Sequence, residues 1–333
     1  MLARGPVTGY ARAMTLTSAG IVTPFSSTAQ VADGTQLRTL LWPVEGDPVA
    51  TALIVHGLGE HAGRYDNVAD ALTAAGIETH GYDHRGHGGS GGPRNHVERW
   101  GILHDDLGER LSALRTQFPD RPLILYGHSL GGLIASGYVL GPEERRLPDL
   151  LVLSAPGLGD DLPPWKRSLA AALTGIVPKL RIANGLPSGG LSRDPSVEEK
   201  ADRDPLASNS SSVRFGAEAF AEQDRVNEKL RGLASMPVPT YVFHGSSDPI
   251  VPLRATEVFE GKGNTTRHVH EGLRHECHHE PEHEHVLGEV VRWLAKQGVP
   301  VRALKAPIHH EGDHVAHHGH EHGDAAVLPP TAV

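Results

Sequence analysis

The run Leu123-Ile-Leu-Tyr126, followed by Gly127-His-Ser-Leu-Gly131, constrains the fold more than any other stretch of the chain. Four apolar residues suffice for a buried strand, and Leu130, Leu133, Ile134 and Tyr138 then recur at helical spacing until Gly141-Pro142 stops the helix. Strand, sharp turn and helix therefore meet at Ser129. In a G-x-S-x-G elbow the glycines let strand and helix approach closely, and the serine hydroxyl is left above the sheet. The pattern also occurs at Gly88-Gly-Ser90-Gly-Gly92, as chance allows in a chain with 39 glycines. Ser90 lacks an uninterrupted apolar strand before it and a helix after it, so context selects Ser129.

A chain of 333 residues can bury a sizeable core. Its net charge of −9 comes without a large basic block, which argues against nucleic acid as a partner. The single cysteine, Cys277, excludes an intrachain disulfide. No apolar run reaches membrane-spanning length, and Met1 to Thr23 lack the apolar core of a signal peptide. A soluble cytoplasmic protein is the default expectation.

Residues 1–33 carry little periodicity and are expected to be a loose lead-in. Leu37, Thr39 and Leu41 alternate as a half-buried strand, and Ala50 to Val55 form a second one that runs into His56-Gly57-Leu58-Gly59. That glycine loop suits either an oxyanion-hole N–H or a plain strand-to-helix connection. A helix over Tyr65–Ala75 and a strand over Ile77–Tyr82 lead to Asp83-His-Arg-Gly-His-Gly-Gly-Ser90. For this loop, local hydrogen bonds and an Asp–Arg pair are preferred to a metal site. A helix near Trp100–Phe118 precedes the Ser129 strand, and Leu150 to Ser154 is another buried strand. Strands alternating with helices predict an α/β fold with a mostly parallel sheet covered on both faces.

The alternation breaks between Gly157 and Leu233, which read as a helical insertion over 157–233. Trp165, Leu169, Leu173, Ile176 and Leu180 form an amphipathic stretch that could line an acyl pocket, touch lipid or pack on the sheet; packing is the expectation. The core, begun over 34–156, resumes over 234–300, with a strand at Val238–Phe243, a short strand at Thr265–His270 and a last helix over Pro281–Lys296. Asp248 and His275 then lie just beyond strand ends. In a parallel sheet those ends share one edge with Ser129, and the order Ser, Asp, His is that of one triad-bearing fold. Serine is a weak nucleophile until a neutral imidazole takes its proton, and the imidazolium needs a carboxylate. His275 is the candidate base and Asp248 its orienter.

Five motifs in order, His56-Gly-Leu-Gly-Glu-His-Ala-Gly-Arg-Tyr65, Asp83-His-Arg-Gly-His-Gly88, Gly127-His-Ser-Leu-Gly-Gly132, His244-Gly-Ser-Ser-Asp248 and Gly272-Leu-Arg-His275-Glu276, resemble the monoacylglycerol lipase family of α/β-hydrolases. The resemblance covers about residues 34 to 296. It implies a serine hydrolase without metal or organic cofactor, with Ser129 as nucleophile and Asp248 and His275 completing the triad. It also implies that the backbone N–H groups of Leu58 and Leu130 form the oxyanion hole. The insertion would be a cap whose apolar face forms the acyl channel and can rest on membrane. The Glu60-His61 and Arg64-Tyr65 pairs match the family's loop pattern and are read as loop-shaping. Two features depart from it: Cys277-His278-His279 beside the candidate base, and the tail over 301–333.

In that tail His309, His310, His314, His317, His318, His320 and His322 fall among Glu, Asp and Gly. Such spacing can hold zinc, nickel or copper weakly, but a solvated disordered tail is the expectation. The sequence thus points to hydrolysis of carboxylic esters of medium or long acyl chains, foremost monoacylglycerol, by way of an acyl-enzyme on Ser129. A general carboxylesterase, a lysophospholipase or a non-catalytic hydrolase-fold protein with a metal-binding tail are the alternatives.

Overall fold

A strand buried on both faces needs an uninterrupted apolar run, and β3 (Ala50–Val55), β5 (Leu123–His128) and β6 (Leu150–Ser154) are buried at every residue. The structure, a computed structural model, describes residues 24–302. These three strands lie at the centre of an eight-stranded sheet. Its other members are β1 (Phe25–Gln30), β2 (Gln36–Trp42), β4 (Ile77–Tyr82), β9 (Ser235–Gly245) and β10 (Gly263–His270). The order is β1-β2-β4-β3-β5-β6-β9-β10. Pairing is antiparallel from β1 through β2 to β4, and parallel from β4 to β10.

Successive residues of β5 feed opposite layers, as the two-residue period of a strand requires. Leu123 and Leu125 pack with Leu103 and Leu107 of α2 (Gly101–Gln117) and with Leu133 of α3 (Leu130–Val139). Ile124 and Tyr126 pack with Val68 and Leu72 of α1 (Asp66–Ala74) and Val290 of α7 (His283–Lys296). The expected mostly parallel sheet with helices on both faces is therefore present. In β2, Leu37 joins the first layer while Leu40 and Trp42 join the second, so Leu41 is only partly buried.

Between β6 and β9 lie α4 (Pro164–Leu173), β7 (Arg181–Ala183), α5 (Pro195–Arg203), β8 (Ser210–Ser212) and α6 (Val213–Gly232). Two expectations change here. The segment is not purely helical, because β7 and β8 pair as an antiparallel ribbon. The amphipathic stretch does not pack on the sheet: Trp165 is 62% exposed and Ile176 77% exposed, with Leu169 and Leu180 also open to solvent. What packs is α6, through Phe215, Val226 and Leu230. The lead-in also differs, since Phe25–Gln30 forms β1. That strand is held by pairing with β2 from Phe25–Leu41 to Gln30–Gln36, and it offers no apolar alternation to read. Among the described residues no helix is long and apolar enough to cross a membrane. The histidine-rich tail lies outside the described residues.

Candidate active site

Ser129 sits between β5 and α3 with φ 50° and ψ −116°. Positive φ is costly for a side chain with a Cβ, roughly 1–3 kcal/mol, so the neighbouring structure must impose it. Three backbone hydrogen bonds do so: Ser129 N–H donates to Ser154 O at 3.0 Å, and Ser129 O accepts from Leu133 N at 3.0 Å and Gly157 N at 2.8 Å. None uses the side chain. The elbow also depends on Gly131, where a Cβ would stand 1.9 Å from Val55 O and 2.6 Å from His56 O. These are backbone atoms at the end of β3 and cannot rotate away. Gly131→Ala is expected to cost about 3 kcal/mol or more, read as a lower urea midpoint. An unchanged midpoint would mean that the elbow is looser than described.

Asp248 follows β9 and His275 follows β10. His275 Nδ1 lies 2.7 Å from Asp248 Oδ2, and both side chains are buried. Asp248 Oδ1 accepts from Ile250 N at 2.7 Å and Val251 N at 3.0 Å, which fixes the carboxylate plane. Burial raises the Asp248 pKa, but the charge of His275 and the hydrogen bonds from His244 and His275 outweigh it and hold it below the usual carboxylate range. Burial lowers the His275 pKa, yet the facing carboxylate brings it above the ordinary 6.5. The ring of His128, the residue before Ser129, lies 4.7 Å from the His275 ring, so the elbow and the His275 loop adjoin. Leu58 lies in the loop after β3, and Leu130 opens α3.

Several residues with no catalytic role assigned from sequence build the surroundings. His244, next to last in β9, stands four residues before Asp248, and its Nε2 lies 2.8 Å from the same Oδ2 that meets His275. Glu60 Oε1 accepts from Gly57 N at 2.5 Å and the Tyr65 hydroxyl at 2.7 Å, while Oε2 accepts from Arg64 at 2.7 Å. Arg64 continues to both oxygens of Glu276, at 3.0 and 2.9 Å. Glu276 adjoins His275, so this buried chain ties the glycine loop to the imidazole loop. The loop-shaping reading of Glu60 and Arg64 thus has a direct geometric basis. Backbone bonds from His275 N to Gly190 O (3.4 Å) and Glu276 N to Leu191 O (2.8 Å) anchor the same loop to the segment between β6 and β9.

Cys277-His278-His279 forms a short 3-10 turn beneath this loop. The Cys277 thiol is buried and donates to Arg274 O at 3.4 Å; burial pushes its pKa up, so it stays a thiol. His278 stacks on Tyr65 with ring centroids 5.0 Å apart and is held neutral by burial. Glu276, His278 and His279 group as a metal site would, but the Glu276 carboxylate is already taken by Arg64 and by His279 Nδ1 at 2.7 Å. In the 83–90 loop, Asp83 accepts from Ala62 N, Gly89 N and Arg38, while Arg85 forks onto Asp106 at 2.6 Å. The expected Asp–Arg pairing occurs, but each partner lies outside the loop. Ser90 Oγ donates to Asp83 O at 2.6 Å and is occupied structurally. A cleft of about 380 Å³ opens beside the glycine loop, lined by Gly59, Glu60, His87, Asn95 and Leu206 among others; Ser129, Asp248 and His275 do not line it.

The family model described as Serine aminopeptidase, S33 matches residues 46–282. A monoacylglycerol lipase of Mycolicibacterium smegmatis is 30% identical over 259 residues, covering 76% of this chain and 91% of that protein. A monoglyceride lipase of Mus musculus is 30% identical over 277 residues, with 79% and 88% covered. The solved monoacylglycerol lipase of Paleococcus ferrophilus superposes with a TM-score of 0.66 at 26% identity, over 82% of this chain and 99% of that one. Peptide and ester cleavage share acyl transfer through an activated serine, so the peptidase description and the lipase names fit one kind of site. With its mostly parallel sheet, its elbow and these relatives, the chain belongs to the monoacylglycerol lipase family of the α/β-hydrolases.

Proposed function

We propose that this carboxylic ester hydrolase cleaves monoacylglycerols of medium or long acyl chain to fatty acid and glycerol, with Ser129, His275 and Asp248 as its triad. The observation that carries the assignment is the 2.7 Å contact between His275 Nδ1 and a buried Asp248 carboxylate, with the His275 ring 4.7 Å from that of His128 in the elbow that holds Ser129 at φ 50°. Because Nδ1–H donates to Asp248, Nε2 is the nitrogen left to take the Ser129 proton. The Ser129 oxygen then bonds to the acyl carbon, and the oxyanion receives the N–H groups of Leu58 and Leu130. His275 passes its proton to the departing glycerol oxygen. Water next attacks the acyl-enzyme, giving its proton to His275; Ser129 recovers it as the fatty acid leaves.

Two features support an acyl-chain substrate presented at a lipid surface. The relatives at 30% identity carry lipase names. The segment between β6 and β9, here given the role of a cap, exposes Trp165, Leu169, Ile176 and Leu180, the row through which it would rest on membrane. The test is kcat/KM across a panel of esters. Monooleoylglycerol should exceed short-chain acetate esters and lysophosphatidylcholine by about tenfold or more. A preference for either competitor would replace the proposal with a general carboxylesterase or a lysophospholipase.

A further inference from the structure

Outside the candidate active site, β10 and α7 bring together a second group of donors. His268 and His270 are two apart on β10 and so project to the same face, with ring centroids 4.5 Å apart. Glu289 on α7 faces them: its Oε2 lies 3.4 Å from His268 Nε2 and 3.9 Å from His270 Nε2. All three donor atoms lie within 4.8 Å of one another. His270 is 6% exposed, and neither its Nε2 nor Glu289 Oε2 makes a hydrogen bond. Two buried polar atoms without hydrogen bonds, facing each other, call for a bridging partner. The other charged neighbours, His285 at 3.5 Å and Arg292 at 3.9 Å, approach Glu289 through Oε1 and leave Oε2 to the histidines.

We propose that His268, His270 and Glu289 bind a divalent zinc-class cation that ties β10 to α7. Two imidazoles and one carboxylate are a donor set suited to zinc and its first-row neighbours. Tetrahedral zinc with bonds of 2.0–2.1 Å holds neighbouring donors about 3.3 Å apart, and the two measured Glu289 distances need only small side-chain shifts to reach that. His268, with 43% of its side chain exposed, leaves an entry path from solvent. β10 is the last strand of the sheet, paired on one side only. A metal bond from it to α7 would therefore staple an edge. The chain reaches His275 five residues after His270, but no donor of this group belongs to the proposed triad.

The experiment is thermal unfolding of the full-length protein, stripped with EDTA and then titrated with zinc chloride. At zinc well above its dissociation constant, the melting temperature of the wild type is expected to rise by roughly 5 °C. His268→Ala and Glu289→Gln, at partly exposed positions, should each abolish that rise while keeping ester hydrolysis in EDTA within about twofold of the wild type, as folded proteins would. Both variants keep the tail histidines, so a rise caused by zinc held there would persist in them. Cobalt substitution gives a second reading: visible d–d absorption present in the wild type should weaken in both variants. No rise in the wild type, or an undiminished rise in both variants, would overturn the site.

Discussion

Ser129→Ala is expected to cut ester turnover about 10⁶-fold, the scale on which loss of an activated serine acts when base and carboxylate serve it alone. The fold should survive. The backbone bonds to Ser154, Leu133 and Gly157 that impose φ 50° do not involve the hydroxyl, and alanine carries the same Cβ as serine in that conformation. The melting temperature should stay within about 2 °C. Loss of activity with loss of folding would say nothing of chemistry, so both are measured on one preparation. Turnover within tenfold of the wild type in pure, folded Ser129→Ala protein would remove Ser129 from the mechanism.

Asp248→Asn is the next largest expected effect, about 10⁴-fold in kcat. The side chain keeps an oxygen for the Ile250 and Val251 amides, so the loop after β9 has no reason to move. It loses the charge facing His275 Nδ1 and His244 Nε2, and an amide N–H placed there favours the wrong imidazole tautomer. The pH profile adds a readout that simple misfolding would not give. His275 acts as base only when neutral, so activity falls as pH drops through its pKa. In the wild type the carboxylate brings that pKa above 6.5, against the pull of burial. Without it burial wins, and the acid limb of residual activity should move to lower pH. A limb that stays in place would mean that Asp248 does not set the state of His275.

Much of this architecture is legible in the sequence, for identifiable reasons. β3, β5 and β6 are buried on both faces and leave continuous apolar runs, and the elbow follows directly from β5. Asp248 and His275 could be singled out because parallel strands place their C-terminal ends along one edge. The illegible parts are those whose cause lies outside the local window. β1 is stabilised by backbone pairing with β2 and carries Ser-Ser-Thr where a pattern would be sought. β7 and β8, three residues each, are too short to show a period. The row from Trp165 to Leu180 has helical spacing, but spacing cannot say whether a partner is present, and the structure leaves the row exposed. Arg64 reaches Glu276 across 212 positions, and Arg85 finds Asp106 rather than the aspartate of its own loop. His268, His270 and Glu289 likewise become one group only when β10 is laid against α7.

The most direct measurement on the central claim is mass mapping of the adduct formed when the folded wild-type protein reacts with a fluorophosphonate. Such a probe bonds to a serine whose proton a working base removes, so it reports the assembled triad rather than the presence of its members. One phosphonylated residue is expected, Ser129, with slowing of the reaction by about a thousandfold or more in Asp248→Asn. An adduct on Ser90 or another serine, or none on protein shown to be folded, would contradict it.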